Sequence, residues 1–214
     1  MIDDLLPTFV RDSYEVHEWR HAGAILAHDF PEEWDDLLAT LTSFRLLKQD
    51  ILTPGGNDSI IAKKLNGPLR ARGWIERSFR AREIVEHLEH TAGSSRDLTI
   101  VRSDEVAART HKVDCFKNEI AIEVEWNNKD PFFARDLSNF RLLYDLRVAS
   151  VGVIITRCDT LQDIFNALGR GASFGASTTH MSKLLPHLYG GAAGGCPVLG
   201  FGISSALYVE GTEP

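Results

Sequence analysis

Residues Lys112 to Lys129 read KVDCFKNEIAIEVEWNNK, and the fold turns on this stretch. Side chains alternate across a strand. Ile120, Ile122, Val124 and Trp126 therefore point one way, and Ala121, Glu123, Glu125 and Asn127 the other. Two carboxylates share one face of a segment that is otherwise strongly apolar. The short link Phe116–Lys117–Asn118–Glu119 predicts a hairpin that folds Asp114 back beside them. Three carboxylates converging on rigid strands repel one another unless a cation sits among them, and an oxygen-only donor set favours a hard ion such as Mg²⁺. Acidic residues alternating with apolar ones are also the ordinary pattern of a strand wetted on one side. The polar run Asn127, Asn128, Lys129 and Asp130 at the carboxyl end of the segment favours a site, because sites concentrate in loops at strand ends.

On either side of this stretch the chain mixes helical and extended patterns. Ser13 to His28 predicts short strands around a turn, and Pro31 to Ser43 a helix with proline at its first position. Thr53 to Ser59 (TPGGNDS) reads as a loop. Arg77 to Ala92 has helical spacing through Phe79, Ile84, Val85 and Leu88, and Leu98 to Val101 reads as a strand. Asp130–Pro131 caps a helix with Phe133, Leu137, Phe140 and Tyr144 on one face. Ala149 to Thr156 is a continuous apolar run, the pattern of a central strand buried on both sides. Met181 to Tyr189 predicts a short helix, Gly190 to Gly195 a flexible link and Val198 to Ser204 a last strand. The expectation is an α/β protein with a mixed central β-sheet flanked by helices, residues 1–214 forming one domain.

With 214 residues, 43% of them hydrophobic, the chain can bury a full core. A membrane-spanning helix needs about eighteen consecutive apolar residues, and no such run is present. The opening MIDDLLPTFVRDSYE is acidic and lacks the layout of a signal peptide, so a cytoplasmic protein is expected. Cys115, Cys158 and Cys196 are odd in number and far apart, which points to reduced thiols rather than a disulfide frame or a zinc ribbon. A net charge of −7 argues mildly against a nucleic-acid partner, since affinity for a duplex comes largely from neutralised phosphates. Between Lys63 and Arg82, however, Lys63, Lys64, Arg70, Arg72, Arg77, Arg80 and Arg82 face one acid, Glu76. This local basic patch suits a duplex held across it, or simply a solvated helix face.

The hairpin resembles the type II restriction endonucleases of the BglII, BstYI and BamHI group, within the PD-(D/E)XK nuclease superfamily. The residues that carry the likeness are Val113–Asp114, then Ala121–Ile122–Glu123–Val124–Glu125–Trp126, with Asn128 three positions past Glu125. Asp136–Leu137 in the following helix, the strand Val151–Gly152–Val153–Ile154–Ile155, the helix opening Pro31–Glu32–Glu33–Trp34 and the step Leu69 to Trp74 (LRARGW) extend it more loosely over the chain. The resemblance implies a restriction-endonuclease-like fold and Mg²⁺-dependent hydrolysis of phosphodiester bonds in double-stranded DNA at a short palindromic sequence. It implies Asp114 and Glu123 as metal-binding catalytic carboxylates. Glu125 stands where most of the superfamily has lysine, so its role as base, second-metal ligand or water-orienting group stays open. A fourth carboxylate from the preceding helix, used in some relatives, would be Glu76, Glu83 or Glu86. A homodimer with the helix Pro131 to Arg147 at its interface, and a cognate DNA methyltransferase as functional partner, complete what the likeness implies.

Base reading calls for polar side chains beside the site. Asn127 and Asn128 lead, since asparagine pairs with adenine edges, though asparagine also fills turns. Lys129 follows them. The loop Gly169 to His180 (GRGASFGASTTH) adds Arg170, Ser173 and His180, and the basic patch adds Lys63, Lys64 and Arg72. That loop reads equally as an ordinary connector. Two other classes compete. One is a related nuclease fold used in DNA repair or as a non-cleaving DNA-binding module. The other is a zinc peptidase, because His17–Glu18–Trp19–Arg20–His21 spells H-E-x-x-H. Zinc peptidase chemistry needs both histidines on one helix, whereas Tyr14, Val16 and Trp19 predict a strand or turn.

Overall fold

The computed structural model describes residues 2–53, 59–108, 110–129 and 131–211. In chain order the elements are α1 (Thr8–Ser13), β1 (Tyr14–Trp19), α2 (Ala22–Asp29), α3 (Pro31–Ser43), β2 (Leu46–Leu47), α4 (Lys48–Leu52), α5 (Ile60–Ala71), β3 (Ile75–Arg77), β4 (Ala81–His90) and β5 (Leu98–Ala108). There follow β6 (Val113–Lys117), β7 (Ile120–Glu125), α6 (Phe132–Asp145), β8 (Val151–Arg157), α7 (Gln162–Ala167), α8 (Met181–Tyr189), β9 (Val198–Ile203) and β10 (Tyr208–Val209).

The chain divides into two compact units, residues 1–77 with 113–214 and residues 78–112. The larger unit is built on a six-stranded sheet in the order β1-β9-β8-β7-β6-β3. Strands β7, β8 and β9 run parallel, and the flanking pairs β1/β9, β6/β7 and β3/β6 run antiparallel, so the sheet is mixed. Every residue of β7, β8 and β9 is buried, as covered central strands require. On one face Ile122, Val124, Val153, Ile155 and Phe201 join a core with Leu26, Leu37, Leu41, Leu65 and Leu69, contributed by α2, α3 and α5. The other face is covered by α6 and α8. There α6 comes so close that a Cβ on Gly152 would lie 2.3 Å from the Phe140 ring, which is why glycine stands in that strand.

The predicted hairpin forms with Cys115 opposite Ile122 and Lys117 opposite Ile120. Its two-residue turn, Asn118–Glu119, has both φ values positive (42° and 68°), the handedness that matches strand twist. Pro31 opens α3 at its first turn. Pro131 precedes α6 directly, and the reading of Asp130 as part of that cap lies outside the described residues. The loop reading of Thr53 to Ser59 likewise falls largely outside them. The N-terminal prediction holds for β1, but the chain after the Arg20–His21 turn is the helix α2 rather than a second strand. The run AGAIL there is rich in strong helix formers.

The smaller unit corrects the helix predicted over Arg77 to Ala92. Ala81–His90 is strand β4, paired antiparallel with β5 over ten registered positions from Ala81↔Ala108 to His90↔Leu98. Ile84, Val85 and Leu88 satisfy a helical spacing, but Ile84 and Leu88 also satisfy alternation, and cross-strand pairing with a distant segment decides between them. The strand predicted at Leu98 to Val101 continues to Ala108.

Candidate active site

Strands β6 and β7 place Asp114 and Glu123 one step beyond the pair Cys115↔Ile122, on neighbouring chains of the sheet. Each side chain grips a backbone amide of the other's strand. The Asp114 amide donates to Glu123 Oε2 at 3.3 Å, and the Val124 amide donates to Asp114 Oδ2 at 3.2 Å. Backbone donors of this kind fix the direction of the carboxylate. Glu123 is only 2% exposed and Glu125 3%, so the acidic face of β7 is buried, unlike the wetted face its alternation also allowed.

A further carboxylate comes from the helix that covers this face. Asp136, in the second turn of α6, is fully buried, and one of its oxygens lies within 4.8 Å of an oxygen of Glu123. Arg135 spans the group: its Nη2 donates to Asp136 Oδ1 at 2.9 Å and to Glu125 Oε1 at 3.4 Å, while its guanidinium rests over the Phe132 ring. Asn128 donates its side-chain amide to Glu125 Oε2. Burial raises the Glu125 carboxyl well above its usual range, and the Asp136 charge beside it pushes the same way, against the Asn128 hydrogen bond. The chemistry of the donor set, four clustered carboxylates against one guanidinium, suits a hard divalent cation.

None of the three acids considered for a fourth carboxylate lies on a helix before the hairpin. Glu76 sits on β3, exposed and 3.6 Å from Arg70, and Glu83 and Glu86 sit on β4 of the smaller unit rather than on a helix. The helix that does precede the hairpin, α5, contains no acid. Its buried Asn66 accepts, through Oδ1, from the Cys115 thiol at 3.5 Å on the opposite face of the sheet from the carboxylates. The signal for Asp136 was present in the sequence as an acid facing inward on an otherwise apolar helix stripe beside Phe133, Leu137 and Phe140.

The polar residues after β7 join the loop between α7 and α8. Asn127 Nδ2 donates to Ser173 O at 3.0 Å; the Asn128 amide donates to Thr179 Oγ1 at 3.1 Å, and the Thr179 amide returns to Asn128 O at 2.8 Å. Lys129 bridges Thr178. His180 lies in this cluster, with Nδ1 2.6 Å from Thr178 O and Nε2 3.5 Å from Asp159. Arg170 is half-buried beside the loop, and Lys129 and Ser173 are exposed. The basic patch is largely engaged within the protein: Lys64 pairs with buried Asp50 at 2.9 Å, and Arg72 lies 3.6 Å from Asp36. Lys63 is exposed on α5.

His17 and His21 share no helix. His17 is on β1 with its ring nitrogens 2.9 Å from Glu15 and 2.9 Å from Tyr189, whereas His21 follows the strand in a left-handed turn. The geometry a zinc peptidase needs is not formed. No helix among the described residues is long and apolar enough to cross a membrane.

A mixed sheet that carries an acidic hairpin at its carboxyl edges, with helices on both faces, defines a restriction-endonuclease-like α/β protein. The chain belongs to the BglII/BglIII family of restriction endonucleases: the family model described as "Restriction endonuclease BglII/BglIII" matches residues 14–203. It is a type II site-specific deoxyribonuclease, acting on double-stranded DNA. A search of curated proteins finds no match.

Proposed function

We propose that this enzyme hydrolyses phosphodiester bonds with Mg²⁺ at a short palindromic sequence, through Asp114, Glu123 and Glu125. The reading rests on one observation, the reciprocal grip of Asp114 and Glu123 on each other's strands beside buried Glu125. Asp114 and Glu123 would hold the ion. When bound, a divalent cation offsets charge on the scissile phosphate and acidifies a coordinated water. Metal-free, burial and Asp136 push the Glu125 carboxyl up to about 9 and keep it protonated; it would take a proton from the attacking water only once a bound cation offsets the surrounding negative charge. Asn128 fixes one of its oxygens and Arg135 the other.

Asn127, Asn128, Lys129, Arg170, Ser173 and His180 would face the bases and backbone, with Lys63, Lys64 and Arg72 adding positive charge along the duplex. A palindromic target requires one site per strand and hence a two-fold homodimer. Helix α6 suits that interface: Arg135, Ser138, Arg141 and Tyr144 are exposed on the side opposite its buried Phe133 and Phe140. Three unpaired, buried cysteines fit the reducing cytoplasm, where a cognate methyltransferase would protect the host's own sites.

Digestion of methylation-free plasmid DNA with Mg²⁺, followed by sequencing of the ends, tests the reading. Discrete fragments are expected. Asp114→Asn and Glu123→Gln should each slow cutting by about a hundredfold or more. Unchanged cutting by both variants would overturn the assignment.

A further inference from the structure

The last residue of β8, Arg157, is 2% exposed and, among the described residues, carries the second largest of the fully buried side chains. Burying a guanidinium is costly unless its donors are well used. Among the described residues its hydrogen bonds go to no carboxylate. Nη2 donates to Phe174 O at 2.8 Å, to Thr178 Oγ1 at 3.0 Å and, at the limit of reach, to Gly175 O at 3.5 Å. The plane lies 5.5 Å from the centre of the Phe165 ring, which in turn stacks on Phe174 at 4.2 Å. A leucine or methionine would fill such a place against Phe165 without the desolvation cost. The guanidinium must therefore serve the loop it grips.

That loop orders itself only through a short 3-10 turn, Gly171–Phe174, the Thr178–Gly175 turn and the buried Phe174 ring. GASFGAS, residues 171–177, is small apart from Phe174, and such a segment is held by what surrounds it. Arg157 holds its centre, Asn127 holds Ser173, and the Asn128–Thr179 pair holds its end. All three anchors lie at the carboxyl edges of β7 and β8, where Thr156 Oγ1 also donates to Glu125 O at 2.7 Å.

We propose that Arg157 is a positioning residue for sequence discrimination, fixing the loop Phe174–Thr178 beside Asn127–Lys129 so that both present one rigid reading edge to the DNA. The proposal rests on the reading of that edge as the DNA-facing one. Arg157 donates to none of the carboxylates, and Asp114 and Glu123 are fixed from β6 and β7, so loss of the guanidinium is read in discrimination before it is read in the chemical step.

The test compares steady-state cleavage of the parent enzyme's own site with sites differing by one base pair, for Arg157→Met and Thr178→Val in the full chain. Arg157→Met should keep kcat on the true site near the parent's, raise KM, and lower discrimination by about tenfold or more, or about 1.4 kcal/mol. Thr178→Val, which removes one acceptor and leaves the arginine in place, should shift discrimination in the same direction by less. Millimolar guanidinium added to Arg157→Ala should restore part of the discrimination. Equal loss on all sites, tracking a lowered melting temperature, would show a merely structural residue and overturn the proposal. Should Arg157→Met fail to fold, unchanged discrimination in Thr178→Val would overturn it alone. A parent enzyme that cuts no discrete site would bring down the underlying reading as well, and that outcome is distinct from a specific parent with an equally specific Arg157→Met.

Discussion

At the scale of single residues, Glu125 concentrates the charge problem of the site. Its carboxyl is raised by burial and by Asp136, so the folded, metal-free protein holds a proton that the unfolded chain gives up above its ordinary pKa of 4.5. Over that interval the native state binds more protons than the unfolded one, and stability falls as pH rises. Each unit of the shift is worth about 1.4 kcal/mol. Melting in EDTA should therefore occur at lower temperature at pH 8 than at pH 5.5, and saturating Mg²⁺ should narrow the gap while releasing protons on binding. A flat profile in EDTA would contradict the assignment. Asp136→Asn removes the neighbouring charge. It should raise metal-free stability at pH 8 by about 1 kcal/mol and weaken Mg²⁺ binding in calorimetric titration; equal destabilisation at both pH values would count against the clustered-charge account.

At the scale of elements, the close approach of α6 to the sheet positions Asp136 and Arg135 over β7. It depends on Gly152, since any Cβ there meets Phe140. Gly152→Val should cost about 1–3 kcal/mol by overpacking and slow cleavage through displaced α6, whereas Gly152→Val with Phe140→Leu should recover part of the loss in a thermal melt. Much of this element pattern was legible in the sequence. The apolar run through Val151–Ile155 and the alternation through Ile120–Trp126 admit few arrangements once both are long and buried. The ribbon β4/β5 was not legible, because REIVEHLEH satisfies helical spacing and its partner strand lies beyond a loop of seven residues, Thr91–Asp97. Glu83 and Glu86 belong to this ribbon and not to a helix before the hairpin. Asp136 was visible as an inward acid, but only the packing of α6 onto β7 brings it to Glu123.

At the scale of the whole molecule, residues 78–112 form an insertion whose ends join a paired position. Arg77 and Val113 are cross-strand partners in β3 and β6, so the chain leaves and re-enters the main sheet at one point. The described core of the larger unit draws no residue from the insertion. Replacing Ser78–Lys112 with a tight Asn-Gly turn should leave a cooperative melt and native-like circular dichroism. Loss of cooperativity would show that the larger unit depends on the ribbon for folding. Net charge also belongs at this scale: at −7, attraction to a duplex must come from local surfaces rather than the overall field.

The reciprocal grip at the site has one more consequence. Two backbone N–H groups, those of Asp114 and Val124, point straight at the two carboxylates. Whatever withdraws electron density from either oxygen must weaken these hydrogen bonds. The two amide resonances thus form a built-in spectroscopic gauge, able to register cation arrival in the intact protein before any DNA is added.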